Sequence, residues 1–223
     1  MTIEQTRTWR TASRTIASET DIAAGLRALK RACPHMRRGH ALAGDPPLRR
    51  WSPGFDGLAR IVIGQQLSIA SAAAILGRIK VAVDPLDPET LLAADDATLR
   101  QAGLSAAKIA TLRAIANAVQ SGELDFEALM LAPEAAVRDQ LTAVRGIGPW
   151  TADIYMLFCR GDRDAFAPGD LALQIAVQTL MELPQRPTAA ELEAIAERWR
   201  PWRGVAARLL WAYYGAVKAG QSS

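Results

Sequence analysis

Apolar residues recur at three- and four-residue spacing along most of the chain, and no sustained alternating run competes with them. Ile22, Leu26 and Leu29 predict a first helix, with Asp21 able to cap it, that runs to Pro34. The next stretch, PHMRRGHALAGDPPLRRWSP, reads as a loop by its prolines, glycines and arginines. Phe55, Leu58, Ile61 and Val62 define a second helix, and Ser68 can cap an Ala-rich third. Short helical patterns cover 88–94 and 96–102. Ser105 then opens a long helix carrying Ile109, Leu112, Ile115, Ala116 and Val119, and Gly122 ends it. LDFEALMLAPEAAVRDQLTAV predicts two more short helices. Leu171, Ile175 and Leu180 begin another, Thr188–Trp199 a further one, and the last starts after Pro201 with Val205, Leu209, Trp211 and Tyr214. An all-α protein is expected.

Half of the 223 residues are hydrophobic (50%), enough for a substantial core in one large domain or two smaller lobes. Residues 1–20 are rich in Thr, Ser and Arg without a period, and read as a poorly ordered lead or a strap on the body. A net charge of +3 and a pI near 9.1 suit a polyanionic partner without selecting one. Cys33 and Cys159 are too few for a disulfide framework and lack Cys-x-x-Cys spacing, which points to a reducing compartment. No charged-then-apolar leader and no apolar run of about 18 residues occurs, so an intracellular, soluble protein is expected. His35 and His40 fall in the predicted loop without nearby carboxylates, and read as solvated rather than metal-binding.

The stretch Leu141–Leu171 carries the candidate chemistry. Gly146 and Gly148 flank Ile147 at the end of a helical pattern, and Pro149 sits where a new helix would begin, giving a tight helix-to-helix turn. Bare of side chains, the turn's N–H groups and the positive end of the Pro149 helix can approach a phosphate. Ile147 would point inward, against the face formed by Leu141 and Val144. An isolated G-x-G is more often an ordinary helix C-cap. Here it is embedded in a longer match.

The run LTAVRGIGPWTAD, followed by Pro168-Gly169-Asp170, resembles the helix-hairpin-helix and the glycine/proline-rich loop with its aspartate of the DNA glycosylase superfamily. Within it, the sequence is most similar to the 3-methyladenine DNA glycosylase II family, over roughly 55–214. The resemblance implies a two-lobed helical fold with the active site in the inter-lobe cleft. One discontinuous lobe would comprise 21–53 and 163–223, and the other 54–162 with the hairpin. Longer members carry an N-terminal β-rich domain that residues 1–20 cannot supply. Some relatives hold an iron–sulfur cluster on four cysteines, for which this sequence has too few.

What the resemblance implies about chemistry is specific. Double-stranded DNA with alkylated bases would be the partner, bound by a monomer. Gly146 and Gly148, with Arg145 and Thr151, would grip the backbone, and the main-chain carbonyls of Thr142, Val144 and Ile147 would hold a monovalent cation, Na+ or K+. Gln65, Gln66 and Ser68 match a Gly-Gln-x-x-Ser segment that enters the minor groove beside the lesion. Some members carry an apolar wedge at the position of Gln66, so here an amide would fill the space of the extruded nucleotide. Trp150, Trp211 and Tyr214 would wall the base pocket, whereas Trp199 and Trp202 read as packing residues. Asp170 would stabilise the sugar cation and orient water, although an Asp before Leu171 is also a natural N-cap. Asp162 and Asp164 read as a solvated turn. Bifunctional relatives have a nucleophilic lysine where this chain has Trp150, so a monofunctional glycosylase that leaves an intact strand with an abasic site is expected. The alternatives are a non-catalytic helix-hairpin-helix module that binds damaged or abasic DNA, and a lyase using another amine.

Overall fold

A computed structural model describes residues 15–221, so most of the N-terminal lead lies outside the described residues. They form thirteen α-helices and no strand beyond one isolated antiparallel bridge, Thr15–Asp162. In order these are α1 (Glu19–Ala32), α2 (Pro34–Ala43), α3 (Phe55–Gly64), α4 (Ile69–Ala82), α5 (Pro88–Ala93), α6 (Asp96–Gln101), α7 (Ala106–Gln120), α8 (Phe126–Leu131), α9 (Glu134–Ala143), α10 (Pro149–Tyr155), α11 (Leu171–Met181), α12 (Ala189–Ala196) and α13 (Arg203–Gln221). A π-helical turn, Met156–Arg160, extends α10. The chain divides into two compact units, one up to Arg49 and again from Gly161, the other Arg50–Arg160.

The discontinuous unit packs α13 against α1, α2 and α11. Val205, Ala206, Leu209 and Leu210 of α13 are buried with Met36 and Leu180, each large aliphatic contributing about 1.5–3 kcal/mol on leaving water. Trp199 is buried and meets Phe166 edge-on, and Trp202 lies under the Arg163 guanidinium at 4.7 Å. Both tryptophans pack the unit. Cys33 and Cys159 are both buried, and burial pushes the Cys159 thiol up to about 12.

Three local readings need correction here. The first half of the stretch after Cys33 is not loop, although 44–53 is: Pro34 opens α2 as its first residue, Met36 and Gly39 face the core, and Arg38 bonds the Leu180 carbonyl and pairs with Glu182 at 2.9 Å. Tertiary packing holds a helix that composition disfavours. His40 consequently has a carboxylate partner, Asp45 at 2.6 Å. Ser18, not Asp21, is the cap of α1; Asp21 closes the capping box from the third helical position, and the hydrogen bonds it accepts hold its pKa low. Asp164 is not a free solvated carboxylate either: half-buried, it pairs with Arg203 at 3.2 Å and with Arg200.

The unit Arg50–Arg160 is built on α7, which packs on α3, α5 and α6 through Ile109, Leu112, Ile115 and Ala116. α10 covers α3 and pairs with α9. The α9–α10 corner is braced by an ion pair between Arg138 and the buried Asp153.

Candidate active site

Two structures in the unit Arg50–Arg160 carry the candidate DNA-contacting residues. The first is the turn between α3 and α4. Ser68 caps α4, its Oγ accepting from the Ser71 N–H at 3.1 Å, and Gln66 is held at φ 57° in the left-handed region, which costs a non-glycine residue about 1 kcal/mol. Gln66, Leu67 and Ser68 are exposed. Two polar clamps tie the turn down. Gln65 Nε2 donates to Thr151 Oγ1 at 2.9 Å, and Lys108 Nζ donates to the carbonyls of Ile63 and Gln65 at 2.7 and 2.9 Å. Burial lowers the pKa of Lys108. Reading the sequence for catalytic and binding groups misses Lys108. Its signal was a cation in the first turn of α7, where the helix dipole disfavours one.

The second is the hairpin. Gly146 has φ 90°, and a Cβ there would lie 2.1 Å from Thr111 Oγ1, so both conformation and packing exclude a side chain. Gly148 makes no use of that conformational freedom. It is extended (φ −99°), caps α10, and has no atom within 4 Å of where a Cβ would stand. Its bareness therefore opens the helix N-terminus to the outside. Ile147 is buried and its N–H donates to the Val144 carbonyl at 3.1 Å, while Arg145 is exposed. Leu141 is buried and Val144 half-buried. Thr151 is buried and receives Gln65, so it serves the turn from inside, and Trp150 is half-buried beside it in sequence.

The carboxylate site belongs to the discontinuous unit. Asp170 N–H donates to the Ala167 carbonyl at 3.0 Å, closing the Pro168-Gly169 turn, and Gln174 Nε2 secures the Pro168 carbonyl at 3.0 Å. Asp170 Oδ1 accepts twice: from the Leu173 N–H at 3.0 Å, as N-cap of α11, and from Trp211 Nε1 at 3.1 Å. The oxygen that caps α11 is thus also the one that receives the indole. Trp211 is half-buried on α13, and one turn on, the Tyr214 ring is covered by Lys218 Nζ at 5.2 Å from its centroid. Among the three aromatics expected to wall a base pocket, Trp211 is joined directly to Asp170 by its indole N–H.

Comparison with known proteins matches residues 59–201 to the model of the HhH-GPD superfamily base excision DNA repair proteins. The chain belongs to the HhH-GPD superfamily. The matched segment takes in the Gln65–Gln66 turn, the hairpin and Asp170. Among HhH-GPD relatives, DNA-3-methyladenine glycosylase 1 of Schizosaccharomyces pombe is 33% identical over 162 residues, 70% of this chain and 71% of the relative. DNA-3-methyladenine glycosylase 2 of Escherichia coli is 30% identical over 191 residues, 78% and 63% of the two chains. Two solved HhH-GPD structures are similar throughout. The S. pombe 3-methyladenine DNA glycosylase in complex with abasic DNA has a TM-score of 0.79 at 28% identity, covering 84% of this chain and 95% of that one. The DNA-3-methyladenine glycosidase of Bacillus halodurans has a TM-score of 0.73 at 32% identity, covering 92% and 93%.

Proposed function

We propose that this protein is a monofunctional alkylbase DNA glycosylase that hydrolyses the N-glycosidic bond of 3-methyladenine, 7-methylguanine and related bases in duplex DNA. The observation that carries this reading is Asp170, a carboxylate fixed on one oxygen by a backbone N–H and the Trp211 indole, at the head of α11. Relatives 33% and 30% identical over 162 and 191 residues are named DNA-3-methyladenine glycosylases.

A base stacked in a duplex cannot be reached at its glycosidic bond, so the nucleotide must first be extruded. The Gly146–Gly148 hairpin and the α10 N-terminus grip the phosphate backbone, with Arg145 adding charge; such contacts position DNA without reading sequence. Gln66, exposed at the tip of its turn, takes the place of the displaced nucleotide, and Ser68 lies beside it. Alkylation at a ring nitrogen leaves a cationic base. The faces of Trp150, Trp211 and Tyr214 attract such a ring at about 0.5–2 kcal/mol each, so selection reads charge and shape. As the bond to the base lengthens, positive charge grows on the sugar. Asp170 stabilises that charge and orients the attacking water, as carboxylates do in glycoside hydrolysis.

Trp150 occupies the position where a lysine would open a lyase pathway, so the product is an abasic site in an unbroken strand. The Thr142, Val144 and Ile147 carbonyls, at the end of α9 and in the turn after it, are neutral hard oxygens that suit a monovalent cation. A bound Na+ or K+ would add positive charge beside the phosphate. One monomer acts on one lesion, inside the cell with the chromosome.

The test is release of free bases from methylated duplex DNA together with strand nicking. Free 3-methyladenine without nicks is expected. No base release with tight abasic-DNA binding would instead make the protein a binding module, and nicking trapped by borohydride would make it a lyase. In the same assay Trp211→Phe keeps an aromatic face but removes the N–H donor to Asp170. A hydrogen bond to a charged group contributes about 1.5–3 kcal/mol, so a loss of roughly tenfold or more in the single-turnover rate is expected. An unchanged rate would show that the indole bond does not position the carboxylate.

A further inference from the structure

One polar side chain in the unit Arg50–Arg160 has no place in the grip, the pocket or the hydrolysis. Lys108 sits on α7 with its ammonium against the end of α3, where it donates to two main-chain carbonyls, those of Ile63 and Gln65, at 2.7 and 2.9 Å. A helix C-terminus carries unpaired carbonyls and partial negative charge, which a lysine satisfies well. The second of these carbonyls immediately precedes Gln66, whose φ of 57° a non-glycine residue keeps only where its surroundings hold it.

The same helix face also seats the hairpin. Thr111 lies three residues on from Lys108, which places both on one side of α7, and Gly146 packs directly on the Thr111 side chain. The circuit closes through Gln65, whose amide donates to Thr151 of α10 at 2.9 Å. Lys108 to the turn, the turn to α10, and the hairpin back to Thr111 thus form one continuous set of contacts within a single unit.

We propose that Lys108 is a positioning residue for nucleotide extrusion, holding the Gln66 turn at a fixed distance from the phosphate grip by anchoring the turn to α7, the helix on which Thr111 seats the hairpin. The proposal rests on the glycosylase reading above. It accounts for a cation placed in the first turn of a helix against the dipole. It also gives Lys108 a task different from that of a phosphate-binding lysine, because two of its three ammonium hydrogens go to the protein's own carbonyls.

The experiment compares wild type with Lys108→Met, which keeps the aliphatic stem, and Lys108→Arg, which keeps the donors. Opening is followed by stopped-flow fluorescence of a duplex with 2-aminopurine beside a 7-methylguanine, and base release is followed on the same duplex. Expected for Lys108→Met is opening slowed about tenfold or more, unchanged affinity for undamaged duplex, and the salt dependence of wild type. Lys108→Arg should recover most of the rate. Because Lys108 acts through Gln66, adding Lys108→Met to Gln66→Ala should cost little more than Gln66→Ala alone.

Opening by Lys108→Met at the wild-type rate overturns the proposal, as does a full multiplicative loss with Gln66→Ala. A salt slope reduced by about one overturns it too, since that is the mark of a lost phosphate contact. Should Lys108→Met fail to fold, Lys108→Gln, which retains neutral donors, is read by the same criteria. Wild type that opens the duplex but releases no base refutes the glycosylase reading while leaving the opening comparison intact, and wild type that does neither refutes both.

Discussion

Asp170→Asn is expected to lower the single-turnover rate of alkylbase release by about two to three orders of magnitude, the size of effect seen when one group facing a developing charge is removed. The substitution is unusually clean. Asparagine is as good an N-cap as aspartate, and its amide oxygen can still accept from the Leu173 N–H and from Trp211 Nε1. What changes is the charge, together with the exchange of the second carboxylate oxygen for an NH2 donor. Stability should therefore stay within about 0.5 kcal/mol of wild type, and affinity for abasic DNA should be retained. Asp170→Ala would confound the result, since loss of the cap alone costs about 1 kcal/mol. Equal base release by wild type and Asp170→Asn would remove the carboxylate from the chemistry and leave it as the cap of α11.

Gly146→Ala should be the most damaging single methyl added to the hairpin. The new Cβ would meet Thr111 Oγ1 at 2.1 Å and two further Thr111 atoms at 2.9 Å, while φ 90° strains any residue with a side chain. Together these costs amount to about 2–4 kcal/mol, read as a shift of the urea midpoint, and DNA affinity should fall with the distorted turn. Thr111→Ala removes the nearest atom and should restore part of the loss. Gly148→Ala is the informative contrast. Nothing within the protein opposes a methyl there, so its folding cost should not exceed about 1 kcal/mol, the difference between Gly and Ala as an N-cap, while DNA binding weakens. If Gly146→Ala is as stable as wild type, α7 does not seat the hairpin as described.

Much of this was legible in the sequence because local signals and burial agreed. Ser68, Ser105 and Asp170 cap the helices they were expected to cap, and the apolar period places Leu58, Leu112 and Leu209 in cores. Where the reading failed, distant residues decided the outcome. α2 forms on a Pro-, Gly- and Arg-containing segment because Met36 is buried and Arg38 reaches α11, neither of which a local window registers. Asp164 looked solvated until Arg200 and Arg203, about forty positions away, closed on it. Lys108 lay hidden for the same reason, since its partners are carbonyls, which every residue has. At the hairpin the pattern was right, but the two glycines turned out to be needed for different reasons: one for conformation and packing, the other for access.

The burial of the two cysteines bears on where such a protein must work. Agents that methylate DNA bases are electrophiles, and in any cell exposed to them the repair protein meets the same reagent. Thiolates are the nucleophiles it would attack first. Burial raises the pKa of Cys159 to about 12 and so disfavours its thiolate, and Cys33 is closed off from solvent. The chain thus offers a methylating agent no accessible sulfur among its cysteines.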